Sequence, residues 1–109
     1  MSPAPQAAAT TRPDDSLPVA GLLEVLEALA DPVRLEMVRR LDPDGTPAPC
    51  AVLYDGVGKS TASHHFKILR EAGVIERSVV GGKTHHALRL DAVEERHPGL
   101  LRGVLASRD

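Results

Sequence analysis

The spacing of apolar residues changes along the chain, and each change marks an element. Leu22, Leu23, Val25, Leu26 and Leu29 recur at helical spacing and predict a first helix that ends near Ala30. Asp31-Pro32 follows as an N-cap residue with proline at the first helical position, and Leu35, Val38 and Leu41 carry the inward face of a second helix. Asp42-Pro43-Asp44-Gly45-Thr46-Pro47 is turn chemistry throughout. A short third helix is expected from Pro49 to Asp55, closed by Gly56 and Gly58. From Lys59 to Ala72 the pattern predicts a longer helix with Ala62, Phe66, Ile68 and Leu69 inward and Gly73 just past its end. Val74 to Val80 and Thr84 to Leu90 are strand-like runs joined by Gly81-Gly82-Lys83, a tight hairpin. Asp91 with Glu94 three residues on resembles a capping box, and Pro98 begins a last helix carrying Leu100, Leu101, Val104 and Leu105.

The expected fold is therefore mainly α with a small β-hairpin, in the order α-α-α-α-β-β-α. A short helix, a turn, a second helix and then a hairpin is the winged helix-turn-helix arrangement. Residues 1–18, with Pro3, Pro5, Pro13 and Pro18, are expected to form a disordered arm, and residues 19–109 a single winged helix-turn-helix domain. A chain of 109 residues has room for one such domain.

Composition sharpens this picture at three points. Tyr54 and Phe66 are the only aromatics, so Leu, Val and Ala must build the core, and base-stacking on single-stranded nucleic acid is disfavoured. The net charge of −2 would argue against DNA, but its distribution does not. Between Lys59 and Arg89 six cations (Lys59, Lys67, Arg70, Arg77, Lys83, Arg89) face two anions, Glu71 and Glu76, so this span carries +4 and the remainder −6. A polarised molecule of this kind offers one basic face to a polyanion. The single cysteine, Cys50, excludes an internal disulfide, and neither a membrane span nor a signal peptide is recognisable, so a soluble cytoplasmic protein is expected.

Within the basic span, the start of the long helix carries Lys59, Ser60, Thr61, Ser63 and His64. These are short or donor-bearing side chains, suited to base edges in a major groove. Lys67 and Arg70 lie further along, placed for phosphates, and Lys83 at the glycine-rich hairpin tip is placed for the DNA backbone or minor groove. A Ser/Thr-rich helix start is equally a capping region, and a Gly-Gly-Lys turn is usually a solvated loop. Their occurrence together, in the right order and inside the basic span, favours DNA.

Two segments also carry a family resemblance. Ala28-Leu29-Ala30-Asp31-Pro32-Val33-Arg34-Leu35 resembles the opening of ArsR/SmtB-type repressors, and Lys59 through Ile75 is similar to that family's recognition helix and the step into its wing. The resemblance covers roughly residues 19–106 and implies a homodimer assembled through the first and last helices, with one recognition helix per half-site of a pseudo-palindromic operator. It also implies DNA contact by Lys59, Ser60, Thr61, Ser63, His64 and Lys83. His65 stands at a position that is often His in the family, and its helical phase suits packing or phosphate contact as well as base reading.

Other chemistries fit poorly. Gly56-Val57-Gly58-Lys59-Ser60-Thr61 looks like the end of a phosphate-binding loop, but position 53 is Leu where that motif needs Gly. No nucleophile, base and orienting group come together, so an enzyme is not expected. No cofactor is required. The thiolate metal site of the family needs a cysteine pair, and Cys50 is alone; the site across the terminal helices retains only Asp91 and His97. A nonstandard nickel or zinc effector site around His97 is the alternative input. The rival function is a winged-helix protein-interaction module that has lost DNA binding.

Overall fold

The computed structural model describes residues 17–107. Helices α1 (Leu22–Leu29) and α2 (Pro32–Arg40) lead into a two-residue strand β1 (Ala48–Pro49) and a single 3-10 turn (Cys50–Val52). The long helix α3 (Lys59–Glu71), strands β2 (Ile75–Val80) and β3 (Lys83–Leu88), and helices α4 (Leu90–Arg96) and α5 (Leu100–Ala106) complete the chain. This is the winged helix-turn-helix fold. The arm expected over residues 1–18 lies, up to residue 16, outside the described residues.

Two expectations are corrected. The helix expected from Pro49 to Asp55 is one 3-10 turn preceded by β1. Pro47 and Pro49 keep the residues before them extended, and Ala48 and Pro49 pair antiparallel with His86 and His85, giving a three-stranded sheet in the order β1-β3-β2. Proline is tolerated there because β1 is an edge strand. The capping box at Asp91 is absent, since α4 starts after Arg89 with no side-chain cap. Glu94 instead accepts from the backbone N–H groups of Gly99 (2.8 Å), Leu101 (3.0 Å) and Arg102 (3.0 Å), and so caps α5. Gly99 has no side chain with which to do so.

Where the local signals were strong, the elements stand as expected. The Asp31 carboxylate accepts from the N–H groups of Val33 (2.8 Å) and Arg34 (3.1 Å) at the start of α2. Strands β2 and β3 run in register from Ile75↔Leu88 to Val80↔Lys83 around Gly81-Gly82. Both glycines have positive φ (57° and 79°), as a type I′ turn requires.

Helix α3 lies against the core along Ala62, Phe66 and Leu69, spaced i, i+4, i+7. The Phe66 ring stacks on His86 of β3 (4.3 Å, 7°) and meets Tyr54 edge-on (6.0 Å, 73°). The two aromatics of the chain thus converge in the layer between α3 and the sheet and set how α3 sits over it. On the far side, Leu17–Ala20 crosses Gly73. Ala20 N–H donates to the Ala72 carbonyl (2.9 Å), and the Arg89 guanidinium donates to the carbonyls of Leu17 and Gly73. Leu17 and Pro18, the end of the expected arm, are seated on the body.

Candidate nucleic-acid interface

Helix α3 begins after Gly58, with no side-chain cap and no acidic residue in its first turn. Its first N–H groups are therefore open at the positive end of the helix dipole, next to Lys59. Lys59, Ser60, Thr61, Ser63, His64 and Lys67 are all exposed, whereas Ala62, Phe66 and Leu69 are buried. The 3.6-residue period separates the two faces. Ser60, Thr61 and Ser63 do not cap the helix, and among the described residues their hydroxyls make no hydrogen bond to the protein. Lys59 and Lys67 likewise form no ion pair among the described residues. Lys83 is exposed at the hairpin tip, flanked by Val79 and Val80, which are also exposed.

Three basic or imidazole groups of the same span are set back from that exposed face. Arg89 is turned inward onto Leu17 and Gly73 and pairs with Glu76 (3.8 Å), so it leaves the basic face. Arg70 is half-buried on the flank of α3 that faces the sheet, beside Arg77. His65 is half-buried, with its Nδ1 2.9 Å from the Arg34 guanidinium. Its observed contact is thus with Arg34.

Arg34 is the residue that sequence reasoning passed over. Its Nε donates to the Ala28 carbonyl (2.6 Å) and a terminal nitrogen to that of Glu27 (3.4 Å), at the negative end of α1. One guanidinium thus joins α1, α2 and α3 and ties α3 to the two helices before it. Its only signal was its place in the Asp31-Pro32-Val33-Arg34 segment.

The remaining candidates have structural partners. Cys50 Sγ lies 3.5 Å from both the Thr84 carbonyl and His86 Nδ1. Burial pushes its thiol pKa up, against the opposing pull of Arg70 and Arg77. His97 Nε2 donates to the Ala20 carbonyl (2.8 Å), and Arg96 donates to that of Val19 (3.0 Å), so the end of α4 is tied to the segment before α1. Among the described residues no three His, Cys, Asp or Glu side chains converge as a metal site, and no helix is long and apolar enough to cross a membrane. Position 53, where a nucleotide loop would need glycine, is a fully buried Leu.

A recognition helix with one polar face outward, braced against a wing with a cation at its tip, defines a winged helix-turn-helix DNA-binding protein. Residues 29–78 match the model of a helix-turn-helix domain family. The chain is 34% identical over 80 residues to YceK of Bacillus subtilis, described as an uncharacterized HTH-type transcriptional regulator; the match covers 72% of this chain and 80% of that protein. It is 31% identical over 74 residues to MJ1325 of Methanocaldococcus jannaschii, described in the same words, over 66% of this chain and 82% of that one. The chain belongs to the HTH-type transcriptional regulators and is a DNA-binding member of that class.

Proposed function

We propose that this regulator is of the ArsR/SmtB type and acts as a homodimeric repressor that occupies a pseudo-palindromic operator. Lys59, Ser60, Thr61, Ser63 and His64 read base edges from the start of α3. Lys67, Arg70 and Lys83 contact phosphates, Arg70 from the flank of the helix. The observation that carries this reading is the first turn and a half of α3: exposed, uncapped, free of acidic residues, with hydroxyls not spent on the protein. The exposed leucines of α1 support the dimer, Leu23 at 69% and Leu22 at 51%.

Selection of bound fragments from genomic DNA supplies the operator. On it, Thr61→Ala or Ser63→Ala is expected to cost about 1–3 kcal/mol of specific binding. Lys83→Ala should weaken all sequences alike and reduce the slope of log K against log salt by about 0.9 for each phosphate no longer neutralised. Wild-type affinity and salt slope in all three variants would mean that this face is not the DNA surface, leaving the interaction module. Placing the operator across a promoter should lower transcription in vitro when the protein is added; a rise would make it an activator.

No metal enters this reading, because His97 has no second and third ligand beside it among the described residues, and its Nε2 bond to Ala20 leaves only Nδ1 for an ion. Calorimetry should find weak Zn²⁺ or Ni²⁺ binding at most. A stoichiometric nanomolar site, abolished in His97→Ala, would overturn it.

A further inference from the structure

Between α3 and the sheet lies a cleft of about 430 Å³. Lys59, Lys67 and Arg70 line it from α3, and Arg77 lines it from β2, with no Asp or Glu among the lining residues. Its inner wall is of a different kind, made by Ala62, Cys50 and the edges of the Phe66–His86 stack. Phe66 is 4% exposed and His86 2%, so this wall lies behind the outward face of α3. The volume falls within the roughly 300–1,000 Å³ typical of small-molecule pockets. The like charges of Lys59, Lys67 and Arg70 at one opening repel one another, and an anion held there relieves the repulsion. Lys59, Lys67 and Arg70 have no carboxylate partner among the described residues. The apolar, aromatic inner wall suits a flat ring rather than a bare ion.

We propose that this cleft binds a small aromatic carboxylate, its charge between Arg70 and Arg77 and its ring against Phe66, His86 and Cys50. Binding is noncovalent, since the Cys50 thiol is protonated and weakly nucleophilic. Lys59 and Lys67 border both the cleft and the DNA face proposed above, so on that reading ligand and operator compete, and each weakens the other by the same factor. The cleft thereby becomes an input to the regulator. Ligand binding itself is measured without DNA, so its failure is distinguishable from failure of the DNA reading.

The test titrates the isotope-labelled full chain with 1-naphthoate, with its neutral analogue 1-naphthamide, and with inorganic phosphate, and follows the backbone amides by NMR. Naphthoate should give saturable shifts at Cys50, Phe66, Arg77 and Thr84. Naphthamide should bind about tenfold or more weakly, the loss expected for one charge-assisted contact. Phosphate should move only the rim cations, which separates free or backbone phosphate from the proposed ligand. Arg77→Gln should reproduce the loss and Arg77→Lys recover part of it. Arg102→Gln, the same charge change on the exposed side of α5, should have no effect. Shifts that do not saturate, that lie away from the cleft, or that naphthamide reproduces at equal affinity would overturn the site. If the Arg77 variants do not fold, the comparison of naphthoate with naphthamide on the unaltered chain decides alone. Naphthoate that binds the cleft yet leaves operator affinity unchanged would overturn the competition.

Discussion

At Gly73 the backbone turns from α3 toward β2 with φ 80°, and Pro18 and Val19 pass where a side chain would be. A Cβ on Gly73 would lie 2.6 Å from the Pro18 carbonyl oxygen and 2.6 Å from Val19 Cα, both backbone atoms that cannot rotate away. Gly81 at the hairpin tip has φ 57° but nothing within 4 Å. The two glycines therefore separate a conformational cost from a packing cost. Gly81→Ala should lose about 1–2 kcal/mol, the price of a left-handed residue alone. Gly73→Ala should lose more than about 2 kcal/mol, because the segment from Leu17 to Ala20 must also lift away from Ala72 and Arg89. Urea unfolding of the two variants side by side checks this. Equal losses would mean that the crossing segment adds nothing to stability.

Among the elements, α5 depends most on a residue outside itself. The N–H groups of Arg102, then Gly99, and also Leu101 hold the Glu94 carboxyl below its ordinary pKa of 4.5. A depressed carboxylate pKa stabilises the fold above the unfolded value, and that contribution is lost as pH falls through the folded value. Glu94→Ala should therefore lower Tm near neutral pH, and the gap to wild type should begin to narrow near pH 4.5 and close once pH has fallen through the lower folded-state pKa, where both chains lack the charged cap. Thermal melts between about pH 3 and pH 7 test it; a gap independent of pH would assign Glu94 a packing role. The sequence was legible where a signal and its effect sit within one turn of chain: Asp31-Pro32 starting α2, the polar and apolar faces of α3, and Gly81-Gly82 closing the hairpin. It was not legible where two local rules competed or the partner was distant. Glu94 satisfies the spacing of a cap for Asp91 as well as its actual role at Gly99, and only packing chooses. Pairing of Ala48 with His86, and the contact of Arg34 with His65, join residues too far apart in the chain to leave a pattern. For the candidate site, exposure of Lys59, Ser60, Thr61, Ser63 and His64 followed from helical phase. The inward turn of Arg89 did not, since a charge count carries no direction.

At the scale of the whole molecule, the periodicity of α1 left open which leucines serve the chain's own core. Leu29 belongs to the same helical run as Leu22 and Leu26, yet it is 6% exposed and part of the core. Leu22, Leu23 and Leu26 remain outward at 51%, 69% and 42%. On α5 Leu101 is fully buried, while Leu100, Val104 and Leu105 are half-covered. An eight-residue helix with three leucines in water is a poor arrangement for a monomer, and a second copy covering this face removes the cost. Light scattering should accordingly return a dimer mass at micromolar concentration. Leu23→Glu puts a charge at the most exposed of the three leucines, where the monomer fold has least use for it. Its circular dichroism should match wild type, its mass should fall to that of a monomer, and its affinity for a full operator should drop by about tenfold or more, since each half-site must then be filled independently. Binding to an isolated half-site should be unchanged, because α3 and the wing are untouched. A Leu23→Glu protein that stays dimeric would move the interface off α1. A wild-type protein that is monomeric at every accessible concentration would remove the dimer, and with it the pseudo-palindromic operator.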